Sequence, residues 1–183
     1  RGGIVICKID SKRGDEEVAR IIPNYNSAWA KNWGFVAMTD AEFDHLAHGM
    51  KDVLDPDLLY VVEAKGQPIG VALSLPDLCD PLRRAYAKPG TPEWWTLLKF
   101  LYYFKVRKTQ QFIRVLIMGV LPEYRLSGID ALLMATSADA AMKKGCTLGE
   151  ASWILENNVP MRQGIENMGW KVYKTYRIFE KTL

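Results

Sequence analysis

Residues 115–144 constrain the fold more than any other stretch, because they read in order as a strand, a turn and a helix. The apolar run 115–121 has strand length and ends at Pro122. A polar link, 123–127, follows, and Gly128 opens a helical pattern in which Ile129, Leu132, Leu133, Thr136 and Ala140 recur at the spacing of one buried face. Lys143 and Lys144 in the last turn, with Gly145 just beyond, form a stop signal. A strand that passes through a glycine-containing turn into a helix aims free backbone N–H groups and a positive dipole end at the turn. The ligand suited to that position is an anion, most simply a phosphate.

At 183 residues the chain is long enough for one domain, 1–183, with a real core. A hydrophobic content of 49% and a charged content of 25% predict an ordered globular chain. A net charge of +3 is too small to argue for a nucleic-acid partner, and no apolar run is long enough to span a bilayer. Cys7, Cys79 and Cys146 are odd in number and far apart, which predicts small buried thiols in a reducing cytoplasm rather than disulfides. The chain opens on Arg1 and runs directly into a strand-like segment, which predicts that residues are missing upstream.

Residues 4–9 read as a strand and 15–22 as a helix that Pro23 breaks or kinks. The following stretch, with Tyr25, Trp29 and Trp33 among asparagines, either continues the helix into the core or lines a polar acceptor pocket; the core is the better reading. Thr39 and Glu42 form a capping box for a helix to about Lys51. Glu42, His45 and His48 share one helix face, but no second ligand-rich segment completes a metal site, so no metal is expected. Residues 58–64 and 68–75 are strands joined at Lys65, Gly66 and Gln67, a short hairpin loop.

A helical insertion occupies 81–111, with a helix over 93–108 that is aromatic on most of its circumference and basic at its end. The first reading of that helix is burial on a sheet; the second is a contact with a membrane surface or a protein. A wall over an acceptor pocket is the third. Beyond 144, a strand over 146–154, a helix over 157–168 with Pro160 early in it, and a last strand over 171–179 complete the order. The sum is an α/β (α+β) fold, a mixed and mostly antiparallel central sheet flanked by helices. Gly164 and Gly169 have the spacing of a phosphate loop, but Trp170 precedes Lys171 and no hydroxyl residue follows. Neither a nucleophile elbow nor a dinucleotide fingerprint is present.

Pro122-Glu123-Tyr124-Arg125-Leu126-Ser127-Gly128-Ile129 resembles the acyl-CoA-binding loop of the GNAT superfamily of N-acetyltransferases, whose pattern is Arg/Gln-x-x-Gly-x-Gly/Ala. Arg125 and Gly128 match; Asp130 departs from the third position. Asn158, with Gly169-Trp170, resembles a second signature, Asn-x-x-Ala…Tyr-x-x-x-Gly-Phe, in which Ile165 stands where the family has its acidic tyrosine. The element order resembles the family over most of the chain. The ending, with Glu150 to Trp153 upstream, is similar to a less studied bacterial subgroup that forms the C-terminal half of longer chains.

The resemblance implies the GNAT acyltransferase fold and transfer of an acyl group from acetyl-CoA, or a longer acyl-CoA, to the amine of a small-molecule acceptor. It implies coenzyme contacts at Arg125, Leu126, Ser127, Gly128, Ile129, Asp130 and Asn158. It also implies oxyanion stabilisation by the backbone amides of Met118, Gly119 and Val120 on a splayed strand, and Glu150 as candidate base beside that strand. Tyr124 and Tyr173 are the substitutes available for the missing acid. An upstream domain or a second copy is the partner it implies. The alternative is a GNAT-fold domain that binds acyl-CoA, or only a partner, and catalyses nothing.

Overall fold

Lys65 and Gly66, at φ 52° and 76°, make the two-residue left-handed turn from which the sheet register follows. They join β2 (Leu59–Ala64) to β3 (Gln67–Pro76), and β1 (Ile4–Lys8) and β4 (Phe112–Val120) pair antiparallel on either side. β5 (Leu148–Ala151) adds to β4 in parallel, so the five strands lie in the order β1-β2-β3-β4-β5. A parallel pair needs a long crossover, and α5 (Ile129–Lys143) supplies it. The structure is a computed structural model describing residues 3–9, 14–30, 34–50 and 52–181. Trp33 and Lys51, read above as a core side chain and a helix end, lie outside the described residues.

One face of the sheet packs on α5 through Tyr60, Val62, Ala72, Val120, Ile129 and Leu133. The buried side of α5 consists of Ile129, Leu133, Met134, Ser137 and Ala141. This is rotated from the predicted face: Leu132 is 45% exposed, and the Thr136 hydroxyl donates to the Leu132 carbonyl. The i, i+4 series from Ile129 meets the sheet because only that series lies over the small Gly70 and Ala72 of β3, and a side chain on Gly70 would reach Ile129 at 3.6 Å.

The other face packs on α1 (Gly14–Trp29), which runs through Pro23 without a break. A mid-helix proline costs about 3 kcal/mol. Burial of Ile21 and Ile22 ahead of it, and packing of Trp29 beyond it on the cluster that includes Val61 and Val71, offsets that cost. Trp29 thus takes the predicted core position and stacks on Tyr25 with ring centroids 4.6 Å apart. The capping box also forms: the Glu42 carboxylate accepts from the Thr39 N–H at 2.9 Å and launches α2 (Asp40–Met50).

Three further sequence readings need correction. Residues 171–179 are not a strand: only Tyr176 makes a bridge, parallel, to Leu155. β5 ends at Ala151, so no strand edge runs alongside the segment, and side chains hold it instead. The Arg177 guanidinium pairs with Glu156, and the Trp170 ring covers Gly149. Second, the helix of the insertion stops being α-helical at Leu101. α3 (Cys79–Ala85) and α4 (Glu93–Leu101) are followed by a π-helical turn, Tyr102–Val106, and no residue of α4 is fully buried. Third, only Cys146 is a buried thiol; Cys79 is exposed and Cys7 half-buried.

Candidate active site

The site begins with a bulge. Leu73 of β3 stands opposite Ile117 and Ser74 opposite Val115, so Leu116 is an extra residue in β4. A bulge changes which residues face which side. Ile113 and Val115 face α5 before it and Met118 and Val120 after it, while Leu116 points outward, 43% exposed. Among the described residues, β5 pairs with 112–115 only, and beyond the bulge β4 has no strand neighbour on that side.

Backbone polarity on that open edge follows from the ladder. The Leu121 N–H donates to the Ile69 carbonyl at 2.9 Å. Alternation in an antiparallel pair then turns Gly119 toward β3 and turns Met118 and Val120 toward the opening. The Val120 carbonyl, accepting at 3.3 Å from Arg125 Nε, agrees with that assignment. Of the three amides expected from the sequence, the geometry therefore aims those of Met118 and Val120 into the gap.

At the mouth of the gap the chain turns through a 3-10 turn, Pro122–Tyr124, and then residues 125–128. Leu126 and Gly128 are left-handed, at φ 61° and 81°, and Gly128 caps α5 without a side-chain hydrogen bond. The first intrahelical bond runs from the Leu132 N–H to the Gly128 carbonyl at 3.0 Å, so the N–H groups ahead of it project into the turn. Arg125 does not point there: its Nη2 donates to the Ala28 carbonyl at 2.9 Å, tying the end of α1 to the end of β4. The Ser127 hydroxyl bonds back to the Tyr124 carbonyl. Asp130 turns its carboxylate toward α6 (Val159–Asn167), where a side chain on Gly164 would meet Oδ2 at 4.0 Å. Asn158 caps α6, its Oδ1 accepting from the Met161 N–H at a long 3.4 Å. Ile165, the replaced acid, is buried with Val115 and Met134.

Glu150 sits opposite Arg114, two residues before the bulge, and is buried. Arg114 donates to its Oε2 through Nε at 3.1 Å and Nη2 at 2.8 Å, the Tyr173 hydroxyl donates to Oε1, and Lys174 Nζ lies 3.5 Å away. Burial alone would raise its pKa, but the Tyr173 hydroxyl and the Arg114 guanidinium, with Lys174, outweigh it and hold the carboxyl below the ordinary glutamate value of 4.5. A carboxylate held this way stays charged and is a weak base. Glu150, Tyr173, Trp170, Ile165 and Arg162 also line a cavity between β5, α6 and the C-terminal segment. Tyr124 packs against the core on α5 instead. Sequence reading missed Arg114, because cross-strand partners depend on register; Glu150 and Arg114 are 36 residues apart. Among the described residues, no group of three or more His, Cys, Asp and Glu side chains is placed to hold a metal ion.

No family model matches the chain. It is 36% identical over 185 residues to a bacterial ceramide synthase of Caulobacter vibrioides, covering 99% of this chain and 47% of that protein. It is 31% identical over 187 residues to protein YghO of Escherichia coli, covering 100% of this chain and 47% of that protein. The chain thus spans about half the length of the curated relatives it matches. Among solved structures, an aminoglycoside N-acetyltransferase, AAC(6')-Iy, in complex with CoA superposes with a TM-score of 0.63 at 14% identity, over 100% of this chain and 98% of that one.

Proposed function

From the GNAT N-acetyltransferase fold that this chain adopts, we propose that it is an acyl-CoA-dependent N-acyltransferase acting on a primary amine. The observation that carries this reading is the opening between β4 and β5, with Met118 and Val120 facing it and the bare N-terminus of α5 at its mouth. Free N–H groups there, beside Gly128, whose lack of a side chain lets the backbone approach closely, fit the phosphates of a coenzyme A. The relative named a ceramide synthase supplies the acceptor class. A ceramide is the fatty amide of a long-chain amino alcohol, so we take a long-chain amine as acceptor and a fatty acyl-CoA as donor.

An acyl-CoA would bring the activated acyl group. The amine attacks the thioester carbonyl, the C–N bond forms as the C–S bond breaks, the coenzyme leaves as thiolate, and the amine's proton passes to water. The N–H groups of Met118 and Val120 face the oxyanion that develops on the carbonyl. Glu150, a fixed negative charge two residues before the bulge, attracts and orients the amine. A thiolate leaves without a protein acid because an ordinary thiol has a pKa of about 8.5, which makes Ile165 compatible with turnover. A second reading, a GNAT-fold domain that binds without catalysis, is favoured by that same Ile165 and by the occupied carboxylate of Glu150.

The test is calorimetry with acetyl-CoA and with a long-chain acyl-CoA. Arg125→Ala combined with Gly128→Val removes the tie to Ala28 and closes the left-handed turn. We expect affinity to fall about tenfold or more, the scale of one or two charge-assisted hydrogen bonds. Binding by the wild type without amide formation from any amine tried would favour the second reading, and no binding would remove both. Asn158→Ala is expected to lower stability by about 0.5 kcal/mol, the weak end of capping effects given the 3.4 Å contact, and to weaken coenzyme binding. Thermal melts with and without acetyl-CoA measure both.

A further inference from the structure

The proposed acyl transfer gives the segment between β3 and β4 no role. We propose that α3, α4 and the π-helical turn dock on the surface of a lipid bilayer carrying anionic headgroups. Trp94, Leu98, Tyr102 and Val106 recur every four residues and are 63, 51, 47 and 68% exposed. Trp95 and Leu97 widen the stripe. A four-residue spacing drifts by about 40° per step around an α-helix, and the wider π-helical turn takes part of that drift back before Val106. The other side of the same element is packed: Phe104 is buried and stacks on Phe100 at 5.5 Å, and Gln110 Nε2 donates to the Phe104 carbonyl at 2.8 Å. The element therefore has one satisfied side and one apolar side that no described residue covers.

Charge identifies the cover. Residues 77–111, the whole segment between β3 and β4, hold seven of the 24 basic residues and three of the 21 acidic ones, so this segment carries +4 while the rest of the chain carries −1. Arg83 and Arg84 share Asp80, and Lys99 lies 5.9 Å over the Trp95 ring. Lys88, Lys105, Arg107 and Lys108 make no ion pair among the described residues. A second copy seated on this face would bring +4 against +4, an unfavourable like-charge contact. An anionic bilayer accepts both features. Tryptophan and tyrosine settle at the headgroup level, and lysine and arginine around them meet lipid phosphates. No helix among the described residues is long and apolar enough to cross a membrane, so the element lies on the surface. The excess of basic residues on this segment orients the protein with this face down.

The test is flotation of the 183-residue chain with vesicles containing phosphatidylglycerol and, separately, with phosphatidylcholine alone, at low and high salt. We expect flotation with the anionic vesicles, weaker at high salt, and little with the zwitterionic ones. Each basic residue near an anionic surface contributes about fivefold, so Lys105→Gln with Lys108→Gln should weaken binding about 30-fold. Trp94→Ser with Trp95→Ser should weaken it about tenfold or more. All four side chains are exposed, and far-UV circular dichroism checks the fold of each variant; if one misfolds, the salt and lipid dependence of the wild type decides. The proposal is overturned if the wild type ignores anionic vesicles, if the variants bind as well as the wild type, or if ultracentrifugation finds a dimer that Trp94→Ser with Trp95→Ser dissociates. Acyl-CoA calorimetry on the same samples keeps this outcome separate from that of the acyltransferase reading.

Discussion

Gly119→Val should destabilise the protein by about 3 kcal/mol, the upper part of the range for overpacking a filled site. A Cβ at this position would lie 2.3 and 2.4 Å from two atoms of the Trp29 indole and 3.1 Å from the Ala28 Cβ. The indole is rigid, ends α1, and is stacked on Tyr25, so it cannot step aside without leaving the core. Displacing it also moves Ala28, whose carbonyl accepts from Arg125 at 2.9 Å, and so reaches the turn before α5. The expected result is a lower denaturation midpoint together with weaker acyl-CoA binding. Trp29→Leu alone should cost stability through lost burial. The double variant should cost less than the sum, because a leucine leaves room for the new side chain. Additive costs would show that the two residues do not share this contact.

Glu150→Ala should lower kcat/KM for the amine about 100-fold, the scale of losing a group that positions a reactant. It should also lower stability by about 2 kcal/mol. A broken buried ion pair costs more than that, but Arg114 keeps 40% exposure and is partly screened. Adding Arg114→Met removes the stranded cation and should restore much of the stability while leaving activity low. Recovery of activity in the double variant would mean that Glu150 only neutralises Arg114. The pH dependence separates orientation from base catalysis. The Glu150 pKa is depressed in the folded protein, so its contribution to stability is complete above 4.5 and is lost as pH falls below that value. An orienting carboxylate then adds no acid limb of its own to kcat/KM near neutrality. A glutamate limb near pH 6 or 7 would instead identify Glu150 as the base, and would contradict the ion pair seen with Arg114.

Much of this architecture is legible in local sequence, for a physical reason. Gly128, Lys143, Lys144 and Gly145 delimit α5 because caps and dipole charges act within one turn of the residues that carry them. Lys65-Gly66 and Thr39 with Glu42 act over the same short range, and each formed where it was read. The alternation of β2 and β3, and the resemblance carried by Arg125 and Gly128, pointed to the fold that the solved acetyltransferase shares. What the chain alone did not reveal depends on where distant segments meet. Which face of α5 is buried depends on the small Gly70 and Ala72 beneath it. The persistence of α1 through Pro23 depends on packing beyond the proline, and the loss of a strand at 171–179 on β5 ending at Ala151. The aromatic helix of the insertion reads as core, because periodicity reports that a face is apolar and not what covers it. The Leu116 bulge, the open edge of β4 and the Arg114–Glu150 pair are properties of register. Register is settled only when strands far apart in sequence compete for one alignment, and side-chain partners, charge states and the site follow from that alignment.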